Sequence, residues 1–291
     1  MRTRRRTAAL VLPLVLALAA CGAEEGDAGG AKAPEATPSA EASTKAPETP
    51  ESPEDFLDLA EKAMADGRAW TFSVTGQEGL TFQGQKSDAT YRATVRRGMD
   101  PEALHSQGVS TSSKGTKRNE EIYVVDDTAY VKEGDAAWKD APASAPEMRN
   151  KIEDPVAVVA EFRAYAQAAG DDVTVTEAGG TVELRVASER QKLSAVRDRA
   201  WAKKAEREFD PTAEQLRKAG VPVNKEQLTL SRLEEVLVLD ATTYRIKSHR
   251  FAFGFLVPYA GGQDIAYEQD VREENQGASE GTIELPAGLR R

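Results

Sequence analysis

The sequence predicts an α+β fold: a strongly curved antiparallel sheet, an incomplete β-barrel, packed over helices on its concave side. Three observations carry that prediction. From Trp70 onward most apolar residues recur with a period of two. Turn signals at Gly76–Gly79, Asp126-Asp127, Gly179-Gly180 and Asp240–Thr243 join the runs, so sequence neighbours pair antiparallel. Two well-signalled helices interrupt the strands and belong on one face of the sheet.

The first helix opens at Ser52-Pro53-Glu54-Asp55, an N-cap serine, a proline at the first helical position and acids in the first turn. Phe56, Leu57, Leu59, Ala60, Ala63 and Met64 follow at helical spacing, and Gly67 stops it. Trp70, Phe72 and Val74 then alternate with polar residues. The pattern repeats in Leu80 and Phe82, and again in Tyr91, Ala93 and Val95, predicting a three-stranded meander turning at Gly76–Gly79. Residues 97–120 are polar, with at most a short strand near Val109. Ile122–Val125 and Ala129–Val131 read as a hairpin, with Trp138 beyond it.

A second helix is signalled at Asp154-Pro155, with Val158, Val159, Phe162, Tyr165 and Ala166 as its stripe and Gly170 as its end. Val173–Val175 and Val182–Val186 form the next hairpin. Residues 189–219 read as charged helix with a narrow stripe, Leu193, Val196, Trp201, Ala205 and Phe209, divided at Pro211. Strands return at 236–239, 244–257 and 265–273. Tyr244 and Ile246 differ in parity from Phe251, Phe253 and Phe255, and a β-bulge near Ser248–Arg250 would return all five to one face.

Before the first helix the chain has a different character. Arg2, Arg4, Arg5 and Arg6 precede thirteen residues, Ala8–Ala20, whose side chains are aliphatic apart from Pro13. As a helix they would rise about 20 Å, short of the roughly 30 Å hydrocarbon core, so residues 1–20 read as a signal peptide. Leu18-Ala19-Ala20-Cys21 resembles the bacterial lipoprotein signal. The resemblance implies that Cys21 becomes the lipidated first residue, carrying acyl chains such as palmitate. Gly22 to Asp55 contains no Val, Ile, Leu, Met or aromatic residue and five prolines, so it cannot bury enough surface to offset its ordering entropy. Residues 21–52 therefore read as a Pro/Ala/Glu-rich tether, and 53–291 as the folded domain. The expected localisation is the extracytoplasmic face of the cell membrane.

Helix, Trp-Thr-Phe-Ser-Val-Thr-Gly (70–76), meander, Glu-Ile-Tyr-Val-Val-Asp-Asp-Thr-Ala-Tyr-Val-Lys (121–132), Leu-Val-Leu-Asp-Ala-Thr-Thr-Tyr-Arg-Ile-Lys (237–247) and Gly281-Thr-Ile-Glu-Leu-Pro286 follow in that order. The order resembles the LolA/LolB-like carriers, and within them the LppX/LprG-type lipoproteins of actinobacterial envelopes. The resemblance implies an apolar cavity for acyl chains, with Trp70, Phe72, Val74, Phe82, Tyr91, Ile246, Phe251, Phe253 and Phe255 as its candidate lining. Those residues are equally the components of an ordinary core filled by the helices.

Composition excludes other functions. One cysteine cannot form an intramolecular disulfide, and with two histidines it cannot complete a zinc site, so no metal is expected. The formal charge of −10 becomes −14 without the four arginines of the signal, which argues against nucleic acid as a partner. His105 lies in a polar loop and His249 in a strand beside Arg250, neither with an evident acid–base partner. No nucleophile elbow, Walker loop or dinucleotide fingerprint is present. The chain is therefore expected to be no enzyme and to need no cofactor. Glu206, Glu208 and Asp210 make a weak cation candidate, and Arg197, Lys203, Lys204 and Arg207 a basic sub-stripe able to face anionic headgroups. Two functions fit: binding or carrying a lipid or other hydrophobic molecule, or, with a filled core, an envelope module for a protein partner that would meet the charged 189–219 segment.

Overall fold

The computed structural model describes residues 49–168 and 172–289. The signal, Cys21, nearly all of the tether and Gly170 lie outside the described residues. The fold is the predicted one: a twelve-stranded antiparallel sheet, not closed into a barrel, with helices against it.

Helix α1 (Pro53–Ala65) starts as its sequence dictates. The Ser52 hydroxyl accepts from the Asp55 amide, and the Asp55 carboxylate accepts from the Ser52 amide at 2.9 Å, a reciprocal capping box. It buries Phe56, Leu57, Ala60 and Met64.

The strands are longer than the local signals indicate. β1 (Ala69–Phe82) runs through Gly76 and Gly79 without turning, and pairs residue for residue with β2 (Gln85–Met99). The turn is at Gln83-Gly84, both with positive φ, the combination a two-residue hairpin requires. The predicted first two strands are thus one. Gly76 and Gly79 resemble a turn in composition, but neighbours on both sides, β2 and the last strand, supply ladder partners through them. The polar stretch 97–120 likewise holds β3 (Glu102–Thr111) and the start of β4 (Lys117–Val125), paired with each other and with β2. Cross-strand hydrogen bonds here outweigh a weak apolar alternation. The Asp126-Asp127 turn leads as predicted into β5 (Thr128–Glu133), which pairs with the short edge strand β6 (Lys139–Pro142).

After a single turn of helix, α2 (Pro146–Arg149), helix α3 (Val158–Gln167) begins three residues later than Asp154-Pro155 implies. Asp154 instead accepts from the Val156 amide, and it also pairs with Arg97. β7 (Thr174–Ala178) and β8 (Thr181–Ser188) form the predicted Gly179-Gly180 hairpin. The 189–219 stretch resolves into β9 (Gln191–Lys192), α4 (Leu193–Val196) and α5 (Ala200–Lys218). Pro211 does not divide α5; the helix runs through it, with Phe209, Thr212, Ala213 and Leu216 buried around it.

β10 (Thr229–Asp240), β11 (Ile246–Tyr259) and β12 (Gln263–Ala278) complete the sheet, in the order β6-β5-β4-β3-β2-β1-β12-β11-β10-β8-β7. The predicted bulge exists, at Lys247: Val238 opposes Ser248 but Leu239 opposes Ile246. Past it His249, Phe251, Phe253, Phe255 and Val257 all point inward with Ile246. Tyr244 is not in the strand, having positive φ in the preceding turn. The concave-face residues of β1, β8 and β10–β12 form one core with α1, α3 and α5, while Ile122, Ala129, Val131 and Met148 make a small satellite near β5.

Candidate functional site

The predicted lining residues meet, but mainly with each other. Trp70, Phe72, Val74, Ile246, Phe251, Phe253 and Phe255 belong to the main core. Phe255 packs on Phe209 of α5 at 5.1 Å between ring centres, and Phe253 on Tyr267 of β12 at 5.9 Å. The Trp70 indole donates to the Met64 carbonyl at 2.8 Å, tying β1 to α1. Phe82 and Tyr91 are half-buried at the margin. Phe82 stands edge-on to Tyr259, and Tyr91 lies over Gly108, where a Cβ would sit 2.7 Å from the phenol oxygen.

Beside this aromatic core the concave face opens into a cavity of about 430 Å³, within the range that holds small ligands. Leu104, Val124, Ile152, Val158, Phe251 and Val271 give it apolar wall; Phe251 alone comes from the predicted set. The rest is ionic. Arg97, Glu153, Asp154, Glu161, Lys204, Arg207, Glu208, His249 and Glu273 all face it.

Its floor is a buried network around Glu235, which has no solvent exposure. One Glu235 oxygen accepts from Lys204 Nζ at 2.7 Å and from His249 Nε2 at 2.9 Å; the other accepts from the Tyr165 hydroxyl at 3.0 Å. His249 Nδ1 reaches Glu273 at 2.8 Å, its direct cross-strand partner. Lys204 also donates to Glu161 and lies 4.5 Å from the centre of the Phe251 ring. Ionised carboxylates only accept, so both imidazole nitrogens donate, and His249 is an imidazolium.

The electrostatics agree with that protonation. Burial opposes charge on His249, but its bonds to Glu235 and Glu273 prevail and raise it to about 9. Burial likewise opposes ionisation of Glu235, and Lys204 with His249 brings it down to about 2. Lys204 is held charged against its own burial by Glu235 and Glu161. Glu153 is the exception. Half-buried at the cavity wall, it is raised to about 8, first by burial and then by Glu273 and Glu208, with Lys204 and His249 opposing.

The other charged groups singled out in the sequence, apart from the exposed Lys203, are paired among the described residues. His105 is in β3, not a loop; it stacks on Tyr123 at 4.2 Å and bonds Glu121 at 3.2 Å. Lys225 bridges Glu206 and Asp210, each at 2.7 Å, occupying the suggested cation position with an ammonium. The basic sub-stripe is no common face: Lys204 is buried, Arg197 pairs with Glu226, and Arg207 pairs with Glu161 and Glu208. No group of three His, Cys, Asp or Glu among the described residues is placed to hold a metal ion.

Sequence reasoning missed Glu235, Lys204, Tyr165, Glu273 and Glu153 as site residues and took His249 as incidental. Parity held the signal. His249 shares the phase of Phe251 and Phe253, Glu235 that of Leu233 and Leu237, and Glu273 that of Val271. A charge in phase with core positions must find a partner there.

A family model matches residues 54–247 and is described as a family of unknown function, DUF6612. The chain belongs to that family. The matched span holds Glu153, Glu161, Lys204 and Glu235 and stops before His249 and Glu273. No curated protein matches. Among solved structures, a DUF1329 family protein from Desulfovibrio piger is 11% identical, with TM-score 0.28, covering 79% of this chain and 96% of its own. The ywiB protein of Bacillus subtilis is 7% identical, with TM-score 0.22, covering 72% of this chain and 94% of its own. A β-barrel-like DUF1849 protein from Brucella abortus is 7% identical, with TM-score 0.22, covering 72% of this chain and all of its own. The sheet order and the cavity of this DUF6612 member stand on its own geometry.

Proposed function

We propose that this DUF6612 protein is an exported, lipid-anchored binding protein that holds a small amphiphilic molecule in the concave-face cavity, at the outer face of the cell membrane. One observation carries the binding reading: a cavity of about 430 Å³ with an apolar wall and an ionic wall. Water satisfies an ionic wall alone and leaves an apolar wall costly, at about 25 cal/mol per Å². A molecule with a hydrocarbon part and a polar head satisfies both. The anchor reading rests on the Leu-Ala-Ala-Cys21 sequence and the tether composition. No helix among the described residues is long and apolar enough to cross a membrane. The LolA/LolB resemblance points the same way, with one adjustment. The aromatic set forms the packed core beside the cavity, and Phe251 is the ring at the boundary.

Both parts are testable. Labelled fatty acid should be incorporated into the wild-type chain expressed in a bacterial host and not into Cys21→Ser; incorporation into both, or neither, refutes the anchor. The Cys21→Ser chain, released without detergent, should show a bound small molecule by native mass spectrometry. Phe251→Asp, which puts a charge on the apolar wall, should lose it. A clean ligand-free mass for the unsubstituted pocket would favour the protein-partner module instead.

A further inference from the structure

The ionic wall has an imbalance, and it identifies the ligand's headgroup. Arg97 pairs with Asp154 and Glu102, each at 3.0 Å. Arg207 pairs with Glu161 and Glu208, at 3.6 and 3.1 Å. Lys204 and His249 are consumed by Glu161, Glu235 and Glu273. Glu153, in the loop between α2 and α3, accepts no hydrogen bond and joins no ion pair among the described residues. It nevertheless faces the cavity from between Glu208 of α5 and Glu273 of β12. A second acceptor lies three residues away on the same wall: Asn150 Oδ1 is buried and has no hydrogen-bond partner. These two unmatched acceptors, one a carboxyl crowded by two acids, call for a donor that the cavity's paired cations do not supply; Arg149 lines the cavity from an exposed position.

We propose that the cavity selects an amphiphile with a protonated amine head, its ammonium bonding Glu153 and Asn150 and its hydrocarbon lying against Ile152, Val158 and Phe251. This rests on the cavity reading above and specifies its ligand class. An ammonium has three donors and no acceptor, matching the Asn150 carbonyl oxygen and the ionised form of Glu153. A carboxylate or phosphate head would meet Glu208 and Glu273 as like charges, while Arg97, Lys204 and Arg207 are already engaged and only the exposed Arg149 among the lining cations joins no ion pair among the described residues. Binding has a proton consequence. The groups facing Glu153 are Glu208 and Lys204 of α5, Glu273 of β12 and His249 of β11, and their balance with burial keeps its carboxyl largely protonated near neutrality. An ammonium ligand requires the carboxylate, so complex formation releases a proton. Affinity then rises about tenfold per pH unit until Glu153 ionises unaided.

The test uses the full chain carrying Cys21→Ser and three probes with one tail: octylammonium, octanol and octanoate, titrated calorimetrically at pH 6, 7 and 8. The expected result is octylammonium binding at least tenfold tighter than either other probe at pH 8, with that margin shrinking toward pH 6. Glu153→Gln, a near-isosteric change, should abolish the margin and its pH dependence. Its fold is checked by circular dichroism and cooperative urea unfolding. If octanol or octanoate binds as tightly as octylammonium, or Glu153→Gln keeps the preference, the headgroup assignment is overturned and the cavity reading stands. If none of the three binds, the cavity reading falls and the assignment with it.

Discussion

Two stretches of the same concave face, both carried largely by β11, have solved burial in opposite ways. From Phe251 to Phe255 the strand packs its aromatic rings on one another, on α5 and on β12 with centres 5.0 to 5.9 Å apart, and the space is filled up to Phe251 at the cavity's edge. Two residues earlier, at His249, the inward position carries a charge, and the neighbouring inward positions Glu235 and Glu273 carry the opposite one. Apolar side chains close a gap by interdigitating, without direction. Charged ones hold fixed distances and leave space wherever their geometry is not matched. The cavity lies against the ionic stretch, and this is why a packed core and an open pocket share one sheet.

The largest effect should come from the centre of the network. Glu235→Ala leaves Lys204 and His249 buried without their shared partner, and we expect a loss of about 3–5 kcal/mol in urea unfolding. A loss under 1 kcal/mol would show that the network is not closed to solvent. Phe253→Ala should cost a comparable or slightly smaller amount, about 3–4 kcal/mol, through a cavity in the aromatic stretch. The two should separate with pH. His249 is raised in the folded state, so its contribution is full below about pH 6.5 and is lost as pH rises through about 9. Glu235 is depressed, so its contribution is present above about pH 4.5 and is lost as pH falls toward 2. Wild type and Phe253→Ala should therefore both weaken between pH 6.5 and 9, by roughly 2–3 kcal/mol. Glu235→Ala should weaken less over that range, because its histidine has lost the partner that raised it.

Two smaller effects bear on the same contrast. Glu153→Gln should raise stability at pH 8 and above by about 1–3 kcal/mol, because an ionised carboxyl there is half-buried beside Glu208 and Glu273 with no partner among the described residues. Such a gain is what the proposed binding site requires, a local cost kept for a ligand. Ser52→Ala, distant from both stretches, should cost about 1 kcal/mol through the lost helix cap and show no comparable pH dependence. A pH-dependent effect there would mean the unfolding slope is not specific to the network.

Legibility in the sequence follows the range of the interaction. The N-cap at Ser52, the Asp126-Asp127 and Gly179-Gly180 turns and the bulge in β11 depend on a few adjacent residues, and all were readable, the bulge to within a residue. Gly76–Gly79 and the 97–120 segment misled because their ladder partners lie in other strands. The site was half readable. Inward parity already places His249 and Glu235 on the core side, but nothing local says that β10, β11 and β12 bring Glu235, His249 and Glu273 together under Lys204.

The sequence by itself determined the fold class, the start of the first helix and the inward face of the late strands, because period and turn chemistry act within a few residues. It also determined the leading segment's composition, from which the anchor is proposed. Only the tertiary structure decided that the aromatic set packs as core, that the charges pair beneath it, and that Glu153 faces the remaining space without a partner. Whether a gap is filled depends on how side chains from β2, α3, α5, β11 and β12 meet in three dimensions, and no periodicity in one chain encodes that meeting.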